Sequence, residues 1–198
     1  MSQLSPRTRV VGDEDPDERL VELSLEGDHE AFGTLVRRYQ RPLYNAAYRV
    51  LGREEDAADV LQTVFLRMTE HLADYDPRYR FFSWIYRIAM NEALTLLRRN
   101  GRDRPLDGDE EPEGPESIGP EWRASEAEAS RRIQHVLAAM PPADRAVITL
   151  RHFSDCSYEE IAHILGIEVK TVKSRLFEAR QRLRPLLGDL RPEGAVAQ

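Results

Sequence analysis

Long apolar runs are missing from this sequence. No stretch approaches the ~20 consecutive apolar residues that a membrane-spanning helix needs, so no insertion into a bilayer is expected. Residues Met1 to Val11 lack the apolar centre of a secretory leader, which places the protein in the cytoplasm. The one cysteine, Cys156, excludes an internal disulfide and a cysteine-built zinc site. His152 and His163 fall near it, but two or three scattered ligands do not define a metal centre. Alternation of the strand type persists nowhere. A glycine-rich phosphate loop, a nucleophile–base set and a paired-carboxylate arrangement are absent too. The expectation is therefore a non-enzyme with no metal and no cofactor. Lysine is nearly absent as well: it stands only at 170 and 173, so arginine carries almost all of the positive charge.

The 198 residues suit one ordinary domain or two small ones, and the net charge of −7 argues at first against a nucleic-acid partner. The distribution reverses that argument. Residues 101–128 hold ten acidic and three basic side chains, which accounts for the whole excess. What remains is neutral on balance but sharply patterned, and the local patch decides what a surface attracts.

Apolar spacing near 3.6 residues predicts an all-α chain of two small helical domains joined by a flexible acidic linker. Residues 1–20 read as an acidic, disordered tail, and 21–100 as an N-terminal domain. The linker spans 101–123 and contains Pro105, Pro112, Pro115 and Pro120. A C-terminal domain covers 124–190, with a short tail over 191–198. In the first domain the pattern predicts a helix over Ala31 to Leu51, with Pro42 as a possible kink and Gly52 as its stop. A second begins at Glu54, Glu55 and Asp56, where acids suit the positive helix end. A third covers Phe81 to Arg99, after a loop from Asp74 to Arg80.

The last domain carries the most informative pattern. Ser157-Tyr158-Glu159-Glu160 fits a capping box, and Gly166 supplies a tight turn after a short helix. Ala162 and Gly166, four apart, let two helices cross closely, as in helix-turn-helix units. In the following helix Val169, Val172, Leu176, Ala179 and Leu183 make a core stripe. Lys170, Lys173, Phe177, Arg180 and Arg184 project from the other side, with Ser174 and Gln181 at its edge. Cations hold phosphates, while Ser, Gln and Arg address base edges, so this face suits a major groove. Arg175 points away from it and either reaches a phosphate or braces the module. A solvated structural face is the plainer reading of any single basic helix; cap, turn and stripe together favour DNA.

A second nucleic-acid signal lies upstream. Tyr75, Tyr79, Phe81, Phe82, Trp84 and Tyr86 crowd together, interleaved with Arg78, Arg80 and Arg87 and followed by Arg98 and Arg99. Rings stack on unpaired bases, at ~1–3 kcal/mol per base, and arginines neutralise phosphates, which suits a single strand. Some of these rings belong to the core instead; Trp84 is either a wedge or a buried anchor.

Ser157 to Ala162, Gly166-Ile167, Thr171 to Leu176 and Ala179-Arg180 closely resemble the promoter-reading C-terminal domain of extracytoplasmic-function (ECF) sigma factors of bacterial RNA polymerase. Asp56-Ala57-Ala58-Asp59-Val60-Leu61-Gln62 with Phe65-Leu66-Arg67 is similar to that family's core-polymerase-binding helix. Phe81 to Ala89 with Asn91 is similar to its promoter-melting element. The resemblance implies a factor that binds core RNA polymerase, reads the −35 duplex and captures the −10 strand. It implies Asp56, Asp59, Gln62 and Phe65 as polymerase contacts. For the −10 strand it implies Arg78, Arg80, Phe81, Phe82, Trp84, Arg87, Asn91 and Arg98. For the −35 duplex it implies Lys170, Thr171, Lys173, Ser174, Arg175, Phe177, Arg180, Gln181 and Arg184. Lys170 and Glu178 depart from residues common in the family and bear on which −35 sequence is read. The resemblance also implies an anti-sigma partner, and a monomer is expected when the factor is free. The rival reading is a stand-alone operator-binding regulator, which would need neither the ring–arginine segment nor the Asp59/Gln62 helix.

Overall fold

The computed structural model describes residues 14–99 and 133–188; the linker expected over 101–123, both tails and the start of the C-terminal domain lie largely or wholly outside them. Among the described residues there is no strand. The helices are α1 (Asp17–Leu25), α2 (His29–Leu51), α3 (Glu54–His71) with a 3-10 turn at Leu72–Asp74, and α4 (Phe81–Arg99). The described part of α5 covers 133–138, and α6 (Pro142–His152), α7 (Tyr158–Leu165) and α8 (Val169–Gly188) follow. No described helix is long and apolar enough to cross a membrane.

Local chemistry explains the helix ends. The Asp28 carboxylate accepts from the backbone N–H groups of Glu30 and Ala31, satisfying donors that α2 would leave orphaned. Gly52 closes α2 at φ 76°, a conformation costly for any residue with a Cβ. Pro42 sits exposed within α2, and the helix continues through it. α1 begins at Asp17, inside the stretch whose composition reads as a tail. Leu20 and Val21 are buried there, and Asp17 accepts from both Arg38 and Tyr39 of α2.

α2 is the hub. It packs on α1, α3, α4 and α6. α7 lies against α4, and α6 and α7 support α8. The buried apolar residues of all these helices therefore form one continuous core, from Leu20 to Ala179. Arg145 bolts the two halves together. It is 2 % exposed, and its guanidinium donates to the carbonyls of Val50 (2.5 Å), Met140 (3.0 Å) and Ala138 (3.3 Å). Burial lowers its pKa to about 10, still far enough above neutral to keep the charge. Gln134 donates to the Tyr48 carbonyl at 3.2 Å, and Arg49 lies 4.3 Å over the Phe153 ring.

Candidate nucleic-acid interface

The helix-turn-helix is assembled as the residue pattern dictates. Ser157 Oγ accepts from the Glu160 N–H at 3.1 Å, and Glu160 Oε2 accepts from the Ser157 N–H at 2.8 Å. Gly166, at φ 64°, turns the chain into α8. In α8, Val172, Leu176 and Ala179 are buried, while Lys170, Lys173, Ser174, Phe177, Arg180, Gln181 and Arg184 are exposed. Thr171 and Arg175 are half-buried. Arg175 lies in the field of Asp144, which is 5 % exposed and already paired with Arg182. Burial raises the pKa of Asp144, with Arg182 and Arg175 opposing the shift.

The exposed face of α8 divides along its length. Lys170, Thr171, Lys173 and Ser174 occupy the first two turns. Phe177, Arg180, Gln181 and Arg184 instead rim an apolar hollow of about 640 Å³, lined by Ile133, Val136, Leu137, Ile148, Phe153 and Leu183. Phe177 is 64 % exposed at its mouth.

The ring–arginine segment separates into core and surface. Phe81 is fully buried, edge-on to Tyr39 at 5.4 Å and to Tyr75 at 5.6 Å, so its place among the strand-contacting residues is corrected: it anchors the loop from beneath. Phe82 is half-buried and stacks on Tyr86 at 4.1 Å. Trp84 is half-buried against Tyr75 and Phe81, an anchor with an open edge. Arg78, Arg80, Arg87, Asn91 and Arg98 are exposed. Arg78 grips Asp76 through Nε and Nη2, at 2.9 and 2.6 Å, and this pairing holds the Asp76 carboxyl below its usual range.

Arg80 reaches across the molecule, its Nη1 donating to Glu160 Oε1 at 2.9 Å. Beside it the rings of Tyr79 and His163 lie 4.2 Å apart and 17° from parallel. Burial pushes the His163 pKa down, with Arg87 adding to the shift and Asp76 opposing it. Burial alone would raise the Glu160 carboxyl, but hydrogen bonds from Ser157 and Arg80 hold it below its ordinary value. Sequence reasoning placed Tyr79 in the ring–arginine segment but assigned Glu160 only to its cap and His163 to no site. No local signal joins residues eighty positions apart.

On α3, Asp59 and Gln62 are exposed, Asp56 is half-buried, and the half-buried Phe65 packs on the core. The apolar residue presented outward is its neighbour Leu66, 59 % exposed. The spacing Asp59, Gln62, Leu66 sets the three on one helix face, a signal the sequence already contained.

Residues 35–103 match the family model of Sigma-70 region 2, and residues 130–183 match that of Sigma-70, region 4. The chain is 34% identical over 175 residues to the ECF RNA polymerase sigma factor SigW of Bacillus subtilis, covering 83% of this chain and 92% of that protein. It is 32% identical over 188 residues to the RNA polymerase sigma-H factor of Pseudomonas aeruginosa, covering 88% and 97%. Among solved structures it resembles CnrH in complex with the cytosolic domain of CnrY, with a TM-score of 0.68, 31% identity, and 88% and 99% of the two chains covered. At 22% identity and a TM-score of 0.64, over 79% of this chain and 96% of that one, it shares its fold with RpoE of Bartonella quintana in complex with the anti-sigma factor NepR.

Proposed function

The chain belongs to the ECF RNA polymerase sigma factors, and on that footing we propose which of its surfaces does each part of the work. It binds core RNA polymerase and directs promoter-specific transcription initiation. α8 spans ~30 Å, longer than a groove crossing needs, and recognition helices read bases from their N-terminal residues. Thr171 and Ser174 therefore read base edges of the −35 duplex, while Lys170 and Lys173 hold its phosphates. Arg180 and Arg184 hold phosphates farther along, Phe177 and Gln181 flank them, and Arg175 braces the module. Arg78, Arg80, Arg87 and Arg98 hold the −10 strand, with Phe82, Trp84 and Asn91 on its bases. Asp59, Gln62 and Leu66 face the polymerase, supported by Asp56 and Phe65.

The working division is an N-terminal domain over 21–100 and a C-terminal domain over 124–190, tethered through 101–123. The factor acts in the cytoplasm without catalysing a reaction of its own. As CnrH and RpoE are seen with CnrY and NepR, this chain takes an inhibitory protein partner. The observation that carries the reading is the presence on one chain of a capped helix-turn-helix with a bare cationic face and a separate ring–arginine loop.

The test is co-elution of the purified protein with bacterial core RNA polymerase, beside an Asp59→Arg/Gln62→Ala variant. Stoichiometric co-elution lost in the variant supports the α3 assignment. Equal co-elution by both moves the polymerase contact off α3. Free DNA binding without polymerase binding returns the operator-binding regulator.

A further inference from the structure

We propose that Tyr79 and Arg80 form a seat for one unpaired nucleotide, the ring taking the base and the guanidinium its phosphate, and that His163 and Glu160 of α7 fill that seat in the free chain. The inference rests on the strand-capture reading above, in whose ring–arginine segment Tyr79 lies, and adds to it an internal competitor.

The geometry matches a nucleotide part by part. A ring stacks on Tyr79 at 4.2 Å and 17°, the arrangement a base would adopt. A carboxylate oxygen accepts from Arg80 at 2.9 Å, where a phosphate oxygen would accept. Glu160 and His163 are three apart on a helix and so share one face, as the adjacent Tyr79 and Arg80 share one loop. The Glu160 carboxylate divides its duties: Oε2 is tied to the Ser157 N–H and Oε1 is presented to Arg80. The cap thus pre-orients the mimic.

Magnitude argues against a merely structural pair. The Arg80 side chain is 71 % exposed, and an exposed ion pair adds little to stability. Its effect instead is to occupy two groups that bind DNA. The occupation cannot persist on a promoter. Elements named −35 and −10 lie about 25 base pairs apart, roughly 85 Å at 3.4 Å per step. α7, which carries α8, cannot sit on the loop while each reads its own element. Bound strand and α7 are therefore alternatives at Tyr79 and Arg80. The wider contact, with Arg145 reaching the α2 carbonyl of Val50, keeps α7 at high local concentration.

The probe is a fluorescent mixed-sequence 12-nucleotide single strand, titrated with the full free chain and read by anisotropy. Glu160→Gln retains a capping-box side chain but removes the charge facing Arg80. His163→Ala removes the stacked ring, and His163→Tyr keeps one. The double variant Glu160→Gln/His163→Ala should bind the strand about tenfold more tightly than the parent, since an ion pair and a ring pair together oppose binding. Glu160→Gln/His163→Tyr should recover part of the difference. In the holoenzyme, where the modules are already parted, the double variant should open promoters at the parental rate, while Tyr79→Ala and Arg80→Ala slow opening. Equal affinity of parent and double variant for the strand, or no binding by either, overturns the mimicry. If Tyr79→Ala and Arg80→Ala open promoters normally in the holoenzyme, the strand-capture reading fails instead. Circular dichroism establishes that each variant is folded.

Discussion

The two basic surfaces of this protein are kept in opposite states. On α8, Lys170, Lys173, Arg180 and Arg184 make no ion pair with any described residue. In the loop, Arg78 is paired with Asp76, Arg80 with Glu160, and Tyr79 is stacked. The difference follows from how each is shaped. α8 is held by its own buried stripe and the capped helix before it, so its outer face needs no side-chain partners to keep its form. Residues 75–80 have no helical ladder and depend on ring contacts, the Tyr75 hydroxyl donating to the Tyr79 carbonyl at 2.7 Å, and Arg78 gripping Asp76. A surface built from side-chain contacts can be captured by another part of the same chain; a surface built on a helix is ready as it stands.

Five expected outcomes test that contrast, the first two as a pair, from the largest effect to the smallest. Leu176→Ala, at a site 1 % exposed beneath the DNA face, should cost ~2–5 kcal/mol in urea unfolding and remove duplex binding with it. Phe177→Ala next to it should leave unfolding nearly unchanged; a comparable loss would mean that the outer face of α8 helps to hold the fold. Arg145→Met strips three backbone carbonyls of their donor and should cost about 1–3 kcal/mol. It should also raise free single-strand binding, because it loosens the contact that holds α7 near the loop. Unfolding unchanged by this substitution would show that the modules are joined elsewhere.

Lys173→Ala should weaken duplex binding alike for all sequences and lower the slope of log affinity against log salt by about one, with no change in unfolding. A selective loss on one sequence would make Lys173 a base reader instead. The smallest effect is on pH. The His163 pKa is lowered in the closed arrangement, so its neutral form favours closure. That contribution is complete above the ordinary value of 6.5 and fades as pH falls below it. Tyr79, Asp76 and Arg87 face the ring, and the depressed Glu160 carboxyl, three residues before it on α7, gives way only at more acid pH, below its ordinary 4.5. Strand affinity of the free chain should therefore rise a few-fold between pH 7.5 and 5.5, and stay level in the His163→Tyr variant. The same rise in that variant would assign the pH response to another group.

Much of this architecture was legible beforehand. The capping box at Ser157 and Glu160, the Gly166 turn and the α8 stripe appear as read, because each depends on side chains within a turn or two of one another. Asp17 was not legible. In sequence it belongs to an acidic, proline-bearing tail; in the fold its carboxylate accepts from Arg38 and Tyr39, which only the position of α2 can supply. Phe81 and Tyr79 make the same point from opposite sides. Both are aromatic residues within one arginine-rich run, yet one is fully buried and the other 47 % exposed. Their order along the chain does not say which.

By itself, then, the sequence determined the helices after α1, the Ser157 capping box and the cationic helix-turn-helix, since a 3.6-residue period and a cap are properties of neighbouring residues. The tertiary structure alone decided which rings reach solvent, that Arg145 ties α2 to α6, and that α7 rests on the loop at Tyr79 and Arg80. Those pairings join residues tens of positions apart, and only the packing of one module against the other brings them within contact distance.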